Sequence, residues 1–517
     1  MKIIATISIY FNVFCVSMIS AQELVPIGLQ KQLLVDDYVI SDKQNITREL
    51  GKPAKIGVVM KASVPTDFYP ANQLHDGLPK TGYSGLGYRT TVLWNEQQEK
   101  FQMLYRASAE DLTAYAESKD GIIWTKPFIA DDGKSNLITY RGKTQGTFYE
   151  AAFMIDPTIP WGHPEKYKSA FNPGDPWDCE AAIAHSPDGI HWRSYNKGEP
   201  VTGRAADTHN QILWDPIGNR YLLLTRTDLG TKGGKSEDRA TRIMAHEKGN
   251  DLLSYPKAWK TLTTITVDDP QAKKTQAGVM VHQMEAMTVW VYENVYFGLM
   301  HVLTAGDLMG NEGGLQDQDL DARPETDVID FYIGTSRDAV NFDMSWVHTR
   351  QPLIERGDAG SFDKSMIAAT SEILTCGDEH WIYYYGNDRQ HHGARPIGSQ
   401  GGMVGLATLP LDRFICQQAN DKLGTITTKP FTLQGNTLEV NVNAKVGRFY
   451  VEVLDAAGKT IPGFASENTE IYNDVDELRL QPNWNSKDLS PLKGKTIRLK
   501  FYLENAKLYT FQIRSEN

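Results

Sequence analysis

The sequence predicts an all-β protein, a five-bladed β-propeller followed by a C-terminal β-sandwich, and three observations predict it. First, the stretch Ser186-Pro187-Asp188-Gly189-Ile190-His191-Trp192 recurs imperfectly as Glu117 to Trp124 and Thr335 to Phe342, with weaker copies at His246 to Asp251 and Thr408 to Phe414. Each copy follows a short alternating apolar segment, and the Asp-Gly pair supplies the tight turn that joins antiparallel strands. Second, two further strand-like runs stand upstream of each copy, so a four-strand unit repeats about every 60 to 90 residues, the pattern of propeller blades. Third, the chain after Phe414 changes to long alternating runs such as Thr437 to Val442 and Thr496 to Leu503, which suit half-buried antiparallel strands.

Taken in order, residues 1–21 run from Met1-Lys2 through an apolar stretch to Ser20-Ala21-Gln22, the layout of a bacterial secretory signal cleaved after Ala21. The expected location is therefore secreted or periplasmic. Cys15 follows Phe14 rather than a small residue, which argues against a lipid anchor, and no later run is long and apolar enough to span a membrane. Residues 22–420 are assigned to the propeller. Its five inner strand pairs are Thr91 to Trp94 with Phe101 to Tyr105, Ala152 to Ile155 with Tyr167 to Phe171, Gln211 to Trp214 with Arg220 to Leu224, Thr288 to Val291 with Val295 to Leu299, and Glu372 to Thr375 with Trp381 to Tyr385. Residues 421–517 are assigned to the sandwich, with Asp455-Ala456-Ala457-Gly458 as a hairpin turn.

A net charge of −11 excludes the basic footprint that nucleic acid requires. After signal removal three cysteines remain, Cys179, Cys376 and Cys416, an odd number that gives no disulfide framework. Nothing in the pattern signals an oligomeric state.

Register locates the candidate site. In a four-stranded blade the start of the innermost strand and the loop between the second and third strands open on the same face. The residues five positions upstream of Trp94 and its equivalents are Arg89, Glu150, His209, Glu285 and Thr370, with Asp207 two residues before His209. Three carboxylates around one mouth match the needs of glycoside hydrolysis, one ionised as base or nucleophile and one with a raised pKa as proton donor. Each is equally a solvated strand-end carboxylate or a partner for Arg89 when taken alone. Asp76 and Asp363 fall within the uncertainty of register, Asp363 as a substrate contact. The second-to-third-strand loops add Arg106, Glu110, Asp111, Asp175, Asp178, Arg226 and Asp228. Trp177 either stacks on a sugar face or packs against its own loop. The loop holding Arg389, His391, His392 and Arg395 either clamps a carboxylate, sulfate or phosphate or is a solvated loop with one histidine hydrogen-bonding a catalytic acid. Asp317, Asp319 and Asp321 alternate as Ca²⁺ ligands can, but without EF-hand spacing they read as a solvated acidic lid. No metal is expected at the site and no cofactor is required.

The chain resembles the five-bladed propeller glycosidases of glycoside hydrolase families 32, 43 and 68, and in particular secreted bacterial family-32-like proteins. The resemblance rests on Ser118 to Trp124, Ser186 to Trp192, Gly405-Leu406-Ala407-Thr408, Asp412-Arg413-Phe414, Leu34 to Tyr38, and Gly447 to Gly458, and it covers nearly the whole mature chain. It departs where Tyr88-Arg89-Thr90 stands in place of a nucleophilic Asp, and where Glu150-Ala151-Ala152 replaces an Arg-Asp-Pro motif. These departures argue against sucrose or fructan as substrate.

The expectation is a secreted hydrolase of a plant or algal poly- or oligosaccharide, the substrate anionic if the Arg389 loop is a clamp. Glu285 would serve as acid and Asp207 or Glu150 as base or nucleophile. The alternatives are a propeller phosphorylase and a catalytically silent sugar-binding propeller.

Overall fold

Alternating apolar runs cut by Asp-Gly turns leave little that can form a helix. The computed structural model describes residues 24–515 apart from 69–73, 76–77, 80–83, 85, 88, 108–111, 142–147, 174–179, 204–209, 229–238, 268–272, 275–279, 307–320, 392–398 and 400. Among the described residues the only α-helix is one turn, Ser345–His348, and three short 3₁₀ turns accompany it. The rest of the regular structure is strand, as the patterning predicts.

Each sequence repeat supplies antiparallel strands to one sheet. The first contains Thr91–Asn95, Lys100–Arg106 and Thr113–Ser118. The second contains Tyr149–Ile155, Tyr167–Asn172, Ala182–Ser186 and His191–Ser194, and Thr139–Arg141 lies parallel along its outer edge. The third contains Gln211–Asp215, Arg220–Asp228, Arg239–His246 and Trp259–Ile265. The fourth contains His282–Tyr292, Val295–Thr304 and Val328–Ser336. The fifth contains Met366–Ala369, Leu374–Cys376, Glu379–Asn387 and Met403–Pro410, and one parallel pairing, Ile329 with Met366, joins it to the fourth. Its outer strand comes from the other end of the chain: Ala54–Met60 pairs with Met403–Pro410. A segment that precedes the first sheet thus completes the last.

The recurrent turn is scaffolding. In the copy at Ser186, Asp188 Oδ1 accepts the backbone N–H groups of Ile190 and His191, and the Trp192 indole donates to the Gly189 carbonyl at 2.9 Å. Gly189 has φ 81° and Gly121 φ 72°, a left-handed backbone that glycine adopts without cost. Gly121 has a second reason, since a Cβ there would stand 2.5 Å from the Tyr383 hydroxyl of the fifth sheet.

The innermost strands meet at a common axis, where hydrogen bonds link all five sheets in a propeller-like arrangement. The Thr91 and Ser371 hydroxyls bond at 2.8 Å, and Phe153 N–H donates to Thr91 Oγ1 at 3.3 Å. The Gln211 amide donates to the carbonyls of Val289 and Ser371, while its oxygen accepts the Val289 N–H at 2.7 Å. Away from the axis, tyrosines latch neighbouring sheets. Tyr167 hydroxyl donates to Gln102 and accepts from Asn95, Tyr221 donates to Asp156, and Tyr296 donates to Asp215.

The C-terminal part is one curled, ten-stranded sheet around a single apolar core that includes Phe449, Trp484, Phe501 and Phe511. The 19-residue strand Thr437–Asp455 runs through it, pairing first with Ala506–Arg514 and then with Thr496–Glu504. The expected boundary at residue 421 does not follow the sheets. Gln32–Leu33, Ile40–Gln44, Thr47–Leu50 and Ile415–Ala419 all belong to this sheet, and Val25, Ile27, Leu34, Val39 and Ile40 join its core. These early runs find apolar partners only after the chain has returned. The signal layout at 1–21 lies outside the described residues, and no helix among the described residues is long and apolar enough to cross a membrane.

Gln211→Ala should lower the urea midpoint of the full chain. It strips the buried Val289 N–H of its acceptor, a loss of roughly 1 to 3 kcal/mol for that group alone.

Candidate functional site

Glu285 owes its placement to a β-bulge. Met284 opposes Val302 and Ala286 opposes His301, so Glu285 is the extra residue on its strand. A bulge bends the strand and redirects a side chain. The second sheet repeats the irregularity: Tyr149 opposes Asn172 and Ala152 opposes Ala170, three steps against two, with Glu150-Ala151 between them. Ala151 also bridges to Asn210 at the start of the third sheet. Both bulges fall on a Glu-Ala pair in an innermost strand, a signal present in the sequence and legible only once pairing is known.

The third sheet delivers cations to Glu285. Arg226 and Arg239 lie near the facing ends of its second and third strands, Arg226 opposite Thr241 and Arg239 opposite Asp228. Arg239 Nη1 bonds Glu285 Oε2, Arg226 Nη1 lies 3.5 Å from Oε1, and His391 Nε2 lies 4.0 Å from the same oxygen. The Glu285 side chain is only 1 % exposed. Two guanidiniums beside a buried carboxylate favour its ionised form. A proton donor needs the opposite environment, so the neighbours of Glu285 suit a base, a nucleophile or an ion-pair anchor rather than the expected acid.

Beside Glu285, His301 is completely buried. Burial pushes its pKa down to about 3, with Glu285 opposing the shift and Arg89 reinforcing it. Arg89 and Glu285 therefore both act on His301, from the starts of the first and fourth sheets. His391 is fixed by its backbone N–H to the Asp327 carbonyl at 2.8 Å, and the turn before it by Arg389 N–H to Asn387 Oδ1 at 2.9 Å.

Of the residues expected at the mouth, the structure brings together Arg89, Glu285 and His391. Glu150 is placed by its backbone alone. Asp207, His209, Trp177, His392, Asp76, Asp317 and Asp319 lie outside the described residues. Asp363 is committed elsewhere: Lys55 of the ring-completing strand holds it at 2.6 Å and the Tyr384 hydroxyl lies at 3.3 Å. Its partner comes from more than 300 positions away in the chain, so register could not reveal it. Arg239 and His301 were not anticipated. His301 sits inside the apolar run Val295–Thr304, which reads as core, and no local pattern points Arg239 at an acid. Among the described residues no group of three or more His, Cys, Asp or Glu side chains could hold a metal ion, and Cys376 and Cys416 are free thiols.

No family model and no curated protein matches the chain. Solved structures do show likeness. A glycosyl hydrolase from Bacteroides ovatus is 14% identical with a TM-score of 0.41, over 74% of this chain and 98% of that one. An endo-arabinase from Bacteroides thetaiotaomicron is 10% identical with a TM-score of 0.39, over 66% and 97%. An exo-inulinase from Aspergillus awamori is 11% identical with a TM-score of 0.36, over 87% and 98%. Likeness at this level speaks to neither substrate nor mechanism.

His301 should remain neutral in the folded protein, and its imidazole NMR signals should not titrate between pH 8 and 4.5. The unfolded chain takes up a proton on this residue below about pH 6.5. The folded chain does so only near pH 3. The stability linked to His301 is therefore complete above the unfolded pKa and is lost as pH falls from there toward 3.

Proposed function

We propose that the protein is a secreted glycoside hydrolase acting on a plant or algal poly- or oligosaccharide that carries anionic groups, with catalysis at the end of the axis where the inner strands begin. The observation that carries the proposal is Glu285, a buried carboxylate on a bulge with the guanidiniums of Arg226 and Arg239 against it. Glu285 is assigned the ionised role of base or nucleophile. The proton donor is assigned to Glu150, at the matching bulge of the second sheet, with Asp207 as the other candidate. His301, buried and neutral beside Glu285, does not itself exchange protons at working pH. Arg389 and His391 are assigned to the acidic groups of the sugar, a task for which a guanidinium fork suits a carboxylate. Export rests on the layout of residues 1–21. The chemistry calls for no cofactor.

One observation favours a catalytically silent sugar-binding protein instead: two arginines could hold Glu285 as a permanent structural ion pair. Paired variants separate the two. On acidic plant oligosaccharides, Glu285→Gln should lower kcat by roughly a thousandfold, as loss of a catalytic carboxylate does, with KM changed little. Glu150→Gln should lose turnover on the same substrates and regain it on aryl glycosides whose leaving group needs no protonation. Sugar binding without turnover in the unaltered protein would favour the silent alternative. Turnover that depends on inorganic phosphate would point to a phosphorylase.

A further inference from the structure

Below the hydrogen bonds that cross the axis, at the opposite end from Glu285, the ends of the inner strands enclose a pocket of about 510 Å³, within the usual range for small-molecule sites. Glu285 and Val291 stand six residues apart on one strand, roughly 20 Å by strand rise. The pocket walls are apolar, with Phe153, Ile155, Ile212, Trp214 and Val291 among them, and they carry one titratable side chain, Glu372. We propose that this pocket binds a compact organic cation, an ammonium group on an apolar body, with Glu372 as its counter-ion.

Three features of the pocket lead to that ligand class. First, among the described residues no hydrogen bond or ion pair reaches the Glu372 carboxyl, and burial alone moves its pKa up to about 7. Glu372 is half-buried and lines the pocket. Second, the other polar groups of the lining are already committed. Gln211 is engaged with Val289 and Ser371, the Ser371 hydroxyl with Thr91, and Thr158 with Asp156. None can turn to solvate Glu372 without breaking a link between or within sheets. Third, two of the charged residues that follow the lining positions along the strands are matched, Asp156 by Lys168 at 2.6 Å and Asp215 by Arg220 at 3.2 Å, and Lys31, 3.9 Å from Glu293, is held at 2.8 Å by Asp412. A carboxylate in low-dielectric surroundings is costly until a cation pairs with it. An ammonium entering beside the Trp214 ring gains the ring face as well.

This site is independent of the hydrolase proposal, and its test reads binding alone. Benzylammonium, which is mostly charged at both pH values, and the neutral isostere benzyl alcohol are titrated into the full-length protein by calorimetry at pH 5.5 and 8.5. Benzylammonium should bind at least tenfold more tightly at pH 8.5, where Glu372 is ionised, and benzyl alcohol should show no such dependence. Glu372→Gln should abolish the preference for the cation. Loss of an unpaired buried charge should leave its thermal unfolding temperature unchanged or raised, so misfolding would be visible separately. In the unaltered protein, saturating benzylammonium should also lower the midpoint of the Glu372 carboxyl ¹³C titration. The proposal is overturned if benzylammonium fails to bind at pH 8.5, binds Glu372→Gln equally well, or leaves that midpoint unmoved.

Discussion

The hydrogen bonds across the axis are the constraint on which the other features depend. Thr91, Phe153, Gln211, Val289 and Ser371 each come from a different sheet, and each satisfies a polar group that another sheet would otherwise bury unpaired. In an apolar interior such a network has few alternative arrangements, because any sheet that slides along the axis strands a donor or an acceptor. The network therefore sets the height of every inner strand. Residues a few positions upstream arrive at one end, where Arg89 and Glu285 both act on His301, and residues just downstream line the pocket that holds Glu372. The tyrosine latches at Asp156 and Asp215 repeat the principle farther out, joining neighbouring sheets through buried side chains.

The two ends of the axis treat a carboxylate in opposite ways. At the upper end, bulged Glu285 is surrounded by cations, and a buried histidine beside it is held neutral. At the lower end, Glu372 has apolar walls, no cation among the described residues pairs with it, and burial pushes its pKa up to about 7. Desolvation acts on both; the guanidiniums beside Glu285 favour its charged form, and burial without one favours the neutral form of Glu372. A residue type at a strand position is thus not yet a chemical role.

The repeating turns, the alternating runs and the inner-strand register could all be read from the chain, because turn chemistry and side-chain alternation act over a few residues. That register led directly to Arg89 and Glu285. The commitment of Asp363 to Lys55 could not be read in this way, nor could the completion of the fifth sheet by Ala54–Met60 or the entry of Gln32–Leu33 and Thr47–Leu50 into the C-terminal sheet. Those choices join segments hundreds of residues apart, where periodicity carries no information about partners.

Local chemistry, then, is enough to make this chain all-β, to space its repeats and to set acidic residues at the starts of inner strands. Assembly decides which acid gains cationic neighbours, as Glu285 does from Arg226 and Arg239 of a neighbouring sheet, and which acid, like Glu372 at the other end of the axis, is left among apolar walls. The division has one physical cause. Strand and turn preferences arise within a few bonds of backbone, whereas charge state depends on desolvation and on partners that only the folded sheets bring within a few ångströms.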